Sequence, residues 1–185
     1  MSEAFHQAWA LLKAPLDVDS INFDNINSKT EPVAFFDDAE RNERIPMWIN
    51  TKQGQTWLGM GERGNYLWEP HPDDPSWLEP EKHVYPIATA SLYNHGMQNP
   101  NVYWPYYRRG YGTSLYDLAA YYRASQGRVV KPSAWQSEEG RGLWEQQIIN
   151  QIPRHDWPKF AVQAIDSQDY RYTDWPDDFH WRPTV

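Results

Sequence analysis

The sequence contains no cysteine. This absence excludes disulfide bonds, thiolate metal sites and a cysteine nucleophile. The sequence also lacks an apolar run of the roughly 20 residues that a membrane-spanning helix needs. Its first apolar run, residues 8–12, is short and has no basic segment before it, so no signal peptide is visible. We therefore expect a soluble, cytoplasmic protein with no membrane partner.

Basic residues are fewer than acidic ones: 17 lysines and arginines stand against 25 aspartates and glutamates, a formal net charge of −8. An acidic balance argues against general nucleic-acid binding. The length of 185 residues fits one domain spanning residues 1–185, with a core in which 11 Trp, 12 Tyr and 6 Phe supply much of the apolar area.

Positive charge is concentrated in one stretch, residues 101–131, which holds five basic residues and the single acid Asp117. The pattern predicts a strand over 102–104, then a turn, a helix over 113–125 and a second strand opening at 128. The helix prediction rests on apolar residues at i, i+3, i+4 and i+7, namely Leu115, Leu118, Ala119 and Tyr122.

Small residues mark both ends of this predicted helix. Thr113 or Ser114 can cap its start, and Gly127 can end it in the left-handed conformation. Gly110 and Gly112 stand just before it, where the backbone can approach a ligand and the helix dipole adds positive potential. We predict a phosphate-binding turn at this point. The alternative is an ordinary turn with solvated arginines.

The order of features over residues 102–145 resembles the acyl-CoA-binding core of the GNAT superfamily of N-acyltransferases. RRGYGTSLYDLAAYY resembles the family's pyrophosphate-binding turn and the helix after it. GRVVKPS resembles the next strand, and SEEGRGLWEQQ resembles the start of a later helix. The resemblance implies an α/β (α+β) fold, a GNAT-like single domain with a central, mostly antiparallel twisted sheet flanked by helices.

The resemblance also implies a reaction, the transfer of an acetyl group from acetyl-CoA, as cosubstrate, to an amine by direct attack on the thioester. Tyr107 stands at the first position of the family's turn signature, and the two arginines follow it. The residues that the resemblance assigns to the cofactor are Tyr107, Arg108, Arg109, Gly110, Tyr111, Gly112 and Thr113.

Catalytic residues are harder to assign. Trp144 stands where the family often has a general-acid tyrosine, and an indole N–H cannot act as an acid near neutral pH. No carboxylate lies between His83 and Arg108, which leaves His83 and His95 as titratable candidates, and we take His95 as the candidate catalytic residue. The alternative is a catalytically inactive GNAT-like binding or structural protein.

The first part of the chain carries two further predictions. Residues 1–15 contain an amphipathic helix that either packs on the domain or docks a protein partner; the aromatic surface is a second candidate for such contact. AWALLKAP resembles the start of small phage and archaeal-virus proteins, which hints at a viral origin. The polar, Asp- and Asn-rich composition of residues 16–44 predicts an irregular surface connection, with a short strand at 33–36 inside it.

The remaining elements are predicted from the periodicity of apolar residues and from the turn residues between them. We predict a hairpin from strands 45–50 and 55–60, a strand at 84–93 that ends in a turn over 94–101, a helix ending at 151, and strands at 160–165 and 170–172.

A metal site is the third functional alternative. PHPDD, residues 70–74, resembles the metal-binding start of zinc-dependent sugar deacetylases, but Pro75 stands where that family has another acid. Asp177, Asp178 and His180 show no spacing typical of a metal site. We therefore predict no bound metal.

Overall fold

The computed structural model describes residues 16–61, 86–93, 96–103, 110–133, 135–151, 162–164, 169–172 and 178–183. Over these residues the protein has a mixed α/β fold of antiparallel strands and two α-helices. The elements are β1 (Leu16–Asp17), β2 (Ala34–Asp38), β3 (Glu43–Lys52), β4 (Gln55–Met60), β5 (Ala88–Tyr93), β6 (Gly96–Val102), α1 (Tyr111–Ser125), β7 (Trp135–Ser137), α2 (Glu138–Gln151), β8 (Val162–Ala164) and β9 (Asp169–Tyr172).

The main sheet has six strands in the order of the chain, β1 to β6, and each strand pairs antiparallel with the next. Consecutive antiparallel strands can be joined by a tight turn, as β3 and β4 are. The predicted hairpin is confirmed as β3 and β4, and β5 lies within the strand predicted over 84–93. A second sheet has the order β7-β9-β8, and its last two strands confirm those predicted near 160–165 and 170–172.

Helix α1 covers one face of the main sheet. The predicted stripe is confirmed, since Leu115, Leu118, Ala119 and Tyr122 are all buried. They pack with inward-facing strand residues such as Phe36, Met47, Leu58, Met60 and Leu92, which are also buried. Neither α1 nor α2 is long and apolar enough to cross a membrane, and the described residues contain no other helix that could do so.

The prediction of an irregular surface connection over residues 16–44 was wrong. That segment contains β1, two short 3-10 turns, β2 and the first residues of β3, and the short strand predicted at 33–36 lies in it as β2. Its apolar residues are core residues: Leu16, Val33, Ala34 and Phe36 are almost fully buried. Strand β1 was missed because two residues are too few for a period to be read from the sequence.

The ends of α1 differ from the prediction at one end and agree at the other. The helix begins at Tyr111, and its N-cap is Gly110 at φ +83° with no side-chain cap, so the predicted capping by Thr113 or Ser114 was wrong. Ser114 instead donates its N–H and its hydroxyl to the Gly110 carbonyl, at 3.1 and 3.3 Å. Gly127 has φ +67°, as predicted for the residue that ends the helix.

Residues 128–133, which follow α1, belong to none of the strands. Lys131 makes one isolated parallel bridge to Gly96, and the Trp181 N–H donates to the Val130 carbonyl at 2.8 Å. The strand predicted to open at 128 is therefore reduced to a bridge. The predicted turn over 94–101 was also too long, because β6 already begins at Gly96.

Two glycine substitutions should test the left-handed backbone at the end of α1 against an ordinary helical position. A Cβ at Gly127 would meet nothing within 4 Å, so Gly127→Ala should lose about 1 kcal/mol of unfolding free energy from its left-handed backbone alone. Gly142, inside α2, also has open space but no positive φ, so Gly142→Ala should gain roughly 0.5–1 kcal/mol. Urea unfolding would measure both, and changes of the same sign in the two variants would contradict the assignment.

Candidate functional site

The candidate site is the start of α1, the element that follows β6 in chain order. Gly110 turns the chain into the helix, and Gly112 lies in its first turn. A Cβ added at Gly112 would lie 3.7 Å from both Val102 in β6 and Leu143 in α2, so this turn fits closely between strand and helix. The first turn contains no acidic residue. The first N–H groups of any α-helix have no acceptor within the helix, so this end can bind an oxyanion.

Tyr111 ties the helix start to the sheet. Its buried hydroxyl donates to Asp38 Oδ2 at the end of β2, and its ring packs on Phe36 with centroids 5.2 Å apart. Burial first, and then the hydrogen bond to Asp38, raise the pKa of Tyr111 to about 12, while Arg41 acts in the opposite direction. The side chain of Tyr111 therefore has a packing role, and contact with a ligand at this turn would involve its backbone.

Asp38 is held in place by the turn that follows β2. Its Oδ1 accepts the backbone N–H groups of Glu40 and Arg41 at 3.0 and 3.1 Å, while Oδ2 accepts from Tyr111. A buried carboxylate is stable when such donors surround it. Asp38 thus fixes both the β2–β3 turn and the start of α1.

Trp144 lies in the core rather than at a surface. Its side chain is 1% exposed, and its indole N–H donates to the Tyr116 hydroxyl at 3.3 Å. Trp181 stacks on Tyr116 at 4.3 Å and meets Trp144 edge-on at 5.3 Å. We call Tyr116, Trp144, Phe179 and Trp181 the aromatic cluster. In this position Trp144 has a packing role, and its indole N–H serves the Tyr116 hydroxyl.

The cluster is closed by residues 178–183, which cross the two helices. Trp181 donates its indole N–H to Asp117 Oδ1 at 2.7 Å. Gln147 in α2 exchanges two hydrogen bonds with the Arg182 backbone, both 3.0 Å long, and Gln151 donates to the His180 carbonyl at 2.9 Å. The two glutamines therefore hold this segment much as a neighbouring strand would. In the sequence, apolar Phe179 and Trp181 alternate with polar residues, and this strand-like alternation is the signal by which the segment could have been predicted to be half-buried.

The structure brings together four of the predicted cofactor residues, Gly110, Tyr111, Gly112 and Thr113, in one helical turn. Trp144 lies in the core as described above, whereas the predicted site residues Tyr107, Arg108, Arg109 and His95 lie outside the described residues, as do His83, residues 70–74 and residues 1–15, where an amphipathic helix was predicted. His180 donates to the Asp178 backbone carbonyl at 2.6 Å. The described part of the chain contains no group of three side chains able to hold a metal ion.

Comparison of the chain with protein-family models, with curated proteins and with solved structures finds no match. Function therefore has to be argued from the geometry of the start of α1 and from the sequence pattern around it.

The aromatic cluster gives a test at alkaline pH. Burial raises the pKa of Tyr116 to about 12, above the ordinary value of 10.0, so folding favours its protonated form. Stability should be fully present below about pH 10 and fall as the pH rises from 10 toward 12, by on the order of 2 to 3 kcal/mol for this residue. Urea unfolding at several pH values would measure this loss.

Tyr116→Phe supplies the comparison. The variant leaves the Trp144 N–H without its acceptor, so it should be less stable than the wild type by roughly 1–3 kcal/mol at pH 8, and that difference should shrink above pH 10. Tyr93 is exposed, so Tyr93→Phe removes a phenol without touching the cluster and is the matched control. A difference that stays constant across this pH range would contradict the role given to Tyr116.

Proposed function

We propose that the protein is an acyl-CoA-dependent N-acyltransferase of the GNAT type that moves an acetyl group from acetyl-CoA to an amine. The observation that carries this proposal is the first turn of α1. It follows β6, opens at a left-handed glycine, contains a second glycine and has no acidic residue. These are the properties that a turn needs to bind a pyrophosphate through backbone N–H groups.

The order of elements around this turn also supports the proposal. The antiparallel strands up to β6 are followed by α1 and then by residues 128–133, which meet β6 in parallel at the Lys131–Gly96 bridge. The GNAT resemblance implies a strand, a helix and a second, parallel strand in this order, and here the single parallel bridge stands in the place of the second strand. The later helix that the resemblance requires corresponds to α2.

In this proposal the backbone of Gly112 and Thr113 donates to the pyrophosphate, and Arg108 and Arg109 neutralise its charge. The amine nitrogen attacks the thioester carbonyl carbon and loses a proton. The carbon–sulfur bond breaks, and the CoA sulfur leaves as a thiolate that takes up a proton. His95 is the candidate for the base. The net charge of −8 favours a cationic amine as the substrate.

A second candidate is a GNAT-like binding or structural protein without catalysis, of viral origin as the N-terminal stretch hints. One observation favours it. Trp144, at the position of the family's general acid, is buried and donates its N–H to Tyr116, so that position supplies no acidic proton. Protonation of the leaving thiolate would then depend on water or another group.

Thr113 offers a test of acetyl-CoA binding. It is half-buried in the first turn of α1, where Thr113→Glu would add a negative charge. The helix dipole stabilises an acid at this position, so the variant should fold as well as the wild type. Its negative charge should repel the pyrophosphate, so acetyl-CoA should bind about tenfold more weakly or worse. Thr113→Gln has nearly the same shape without the charge and should bind like the wild type.

Isothermal titration calorimetry would measure binding for the three proteins. No binding by a folded wild-type sample, or equal binding by Thr113→Glu and Thr113→Gln, would overturn the proposal. Turnover separates the two candidates. Because the chain has no cysteine, a thiol reagent reports only released CoA. Release that depends on an added amine supports the transferase, while binding without release for polyamines, lysine peptides and small amines supports the binding protein.

A further inference from the structure

Arg123, in the last turn of α1, is a buried charge without an anionic partner among the described residues. The residue is 6% exposed, and its Nε atom is buried with no hydrogen-bond acceptor. Its guanidinium donates through Nη1 to Gln126 Oε1 at 3.2 Å, and that acceptor is neutral. Burial of a charge is costly unless a counter-charge compensates for it.

A second arginine adds to the positive charge at this point. The Arg123 carbonyl accepts the backbone N–H groups of Gln126 and Arg128, at 3.0 and 2.8 Å, so the turn after α1 brings Arg128 back beside it. Burial first, and then the Arg128 charge, lower the pKa of Arg123, while Tyr122 acts in the opposite direction. The partial negative charge at the end of the helix compensates for only a fraction of two guanidinium charges.

We propose that Arg123, Gln126 and Arg128 form a binding site for a phosphate group. A guanidinium binds phosphate oxygens through paired N–H donors, and Arg123 Nε supplies a donor that has no acceptor. A phosphate monoester carries about −1.5 to −2 charges near neutral pH, which matches two arginines better than a single carboxylate does. Gln126 is exposed, so its side chain can move aside and give its place to an anionic oxygen.

This site is separate from the turn at the start of α1. Gly110 and Arg123 are 13 positions apart, which is about 20 Å along the axis of a helix. The proposal therefore does not depend on acyl-CoA binding and can fail or succeed by itself.

The test is a titration of the ¹⁵N-labelled protein with sodium phosphate at neutral pH, with sodium chloride keeping the ionic strength constant. The arginine Nε–H signals and the Gly112 amide report the two ends of α1. We expect a saturable shift of the Arg123 signal, the same shift with phenyl phosphate, and a much weaker effect of acetate. A shift of the Gly112 amide alone, no saturable shift, or an equal effect of acetate would overturn the proposal.

Substitutions at exposed positions keep the test independent of folding. Arg128→Gln should weaken phosphate binding about tenfold or more, whereas Lys52→Gln, which removes an exposed cation at the end of β3, should leave it unchanged. Equal phosphate affinity in the Arg128→Gln variant and the wild type would also overturn the site.

Gln126 gives a second pair of variants. Gln126→Glu places a carboxylate next to Arg123, so it should raise the midpoint of thermal unfolding and weaken phosphate binding about tenfold. Gln126→Ala removes only the neutral acceptor and should bind phosphate at least as well as the wild type. A glutamate that leaves phosphate binding unchanged would show that Arg123 does not contact the anion.

Discussion

The packing of α1 on the antiparallel sheet is the interaction on which the rest of the structure depends. Its buried stripe supplies one side of the core, and the strands β1 to β6 supply the other. The Tyr111–Asp38 hydrogen bond fixes where the helix starts on the sheet, and Gly127 fixes where it stops. Because both ends are fixed, the first turn meets β6 in one arrangement, and the last turn brings Arg123 and Arg128 together.

Hydrogen bonds made by the aromatic side chains determine how α2 and residues 178–183 pack around the aromatic cluster. Aromatic rings bury much apolar area, but an indole N–H or a phenol in the core needs a partner. Here Trp144 donates to Tyr116 and Trp181 donates to Asp117, so the position of α2 and of residues 178–183 is set by hydrogen bonds as well as by area. For the same reason Trp144 is not available as a proton donor in a reaction, since the single N–H of its side chain already donates to Tyr116.

Periodic features of the sequence were predictable and contacts between distant residues were not. The stripe of α1, the β3–β4 hairpin and the left-handed Gly127 follow from local pattern and turn chemistry, and the structure confirms them. The cap at Gly110 was missed because a nearby Thr and Ser offered a more usual one. The Tyr111–Asp38 bond joins residues 73 positions apart, and no spacing rule connects them.

The charges along α1 are arranged in a way that its own stability does not explain. An acid in the first turn would gain typically 0.3–1 kcal/mol from the helix dipole, and α1 has none there. At the other end the positive charge of Arg123 is favoured by the helix dipole. Its burial beside Arg128, however, lowers the folding stability more than an exposed lysine at that position would. Sequences depart from locally favourable choices mainly where a site requires it. Within the part of the chain that the structure describes, both departures on α1 leave positive potential uncompensated, and an external anion is the species that would satisfy each of them.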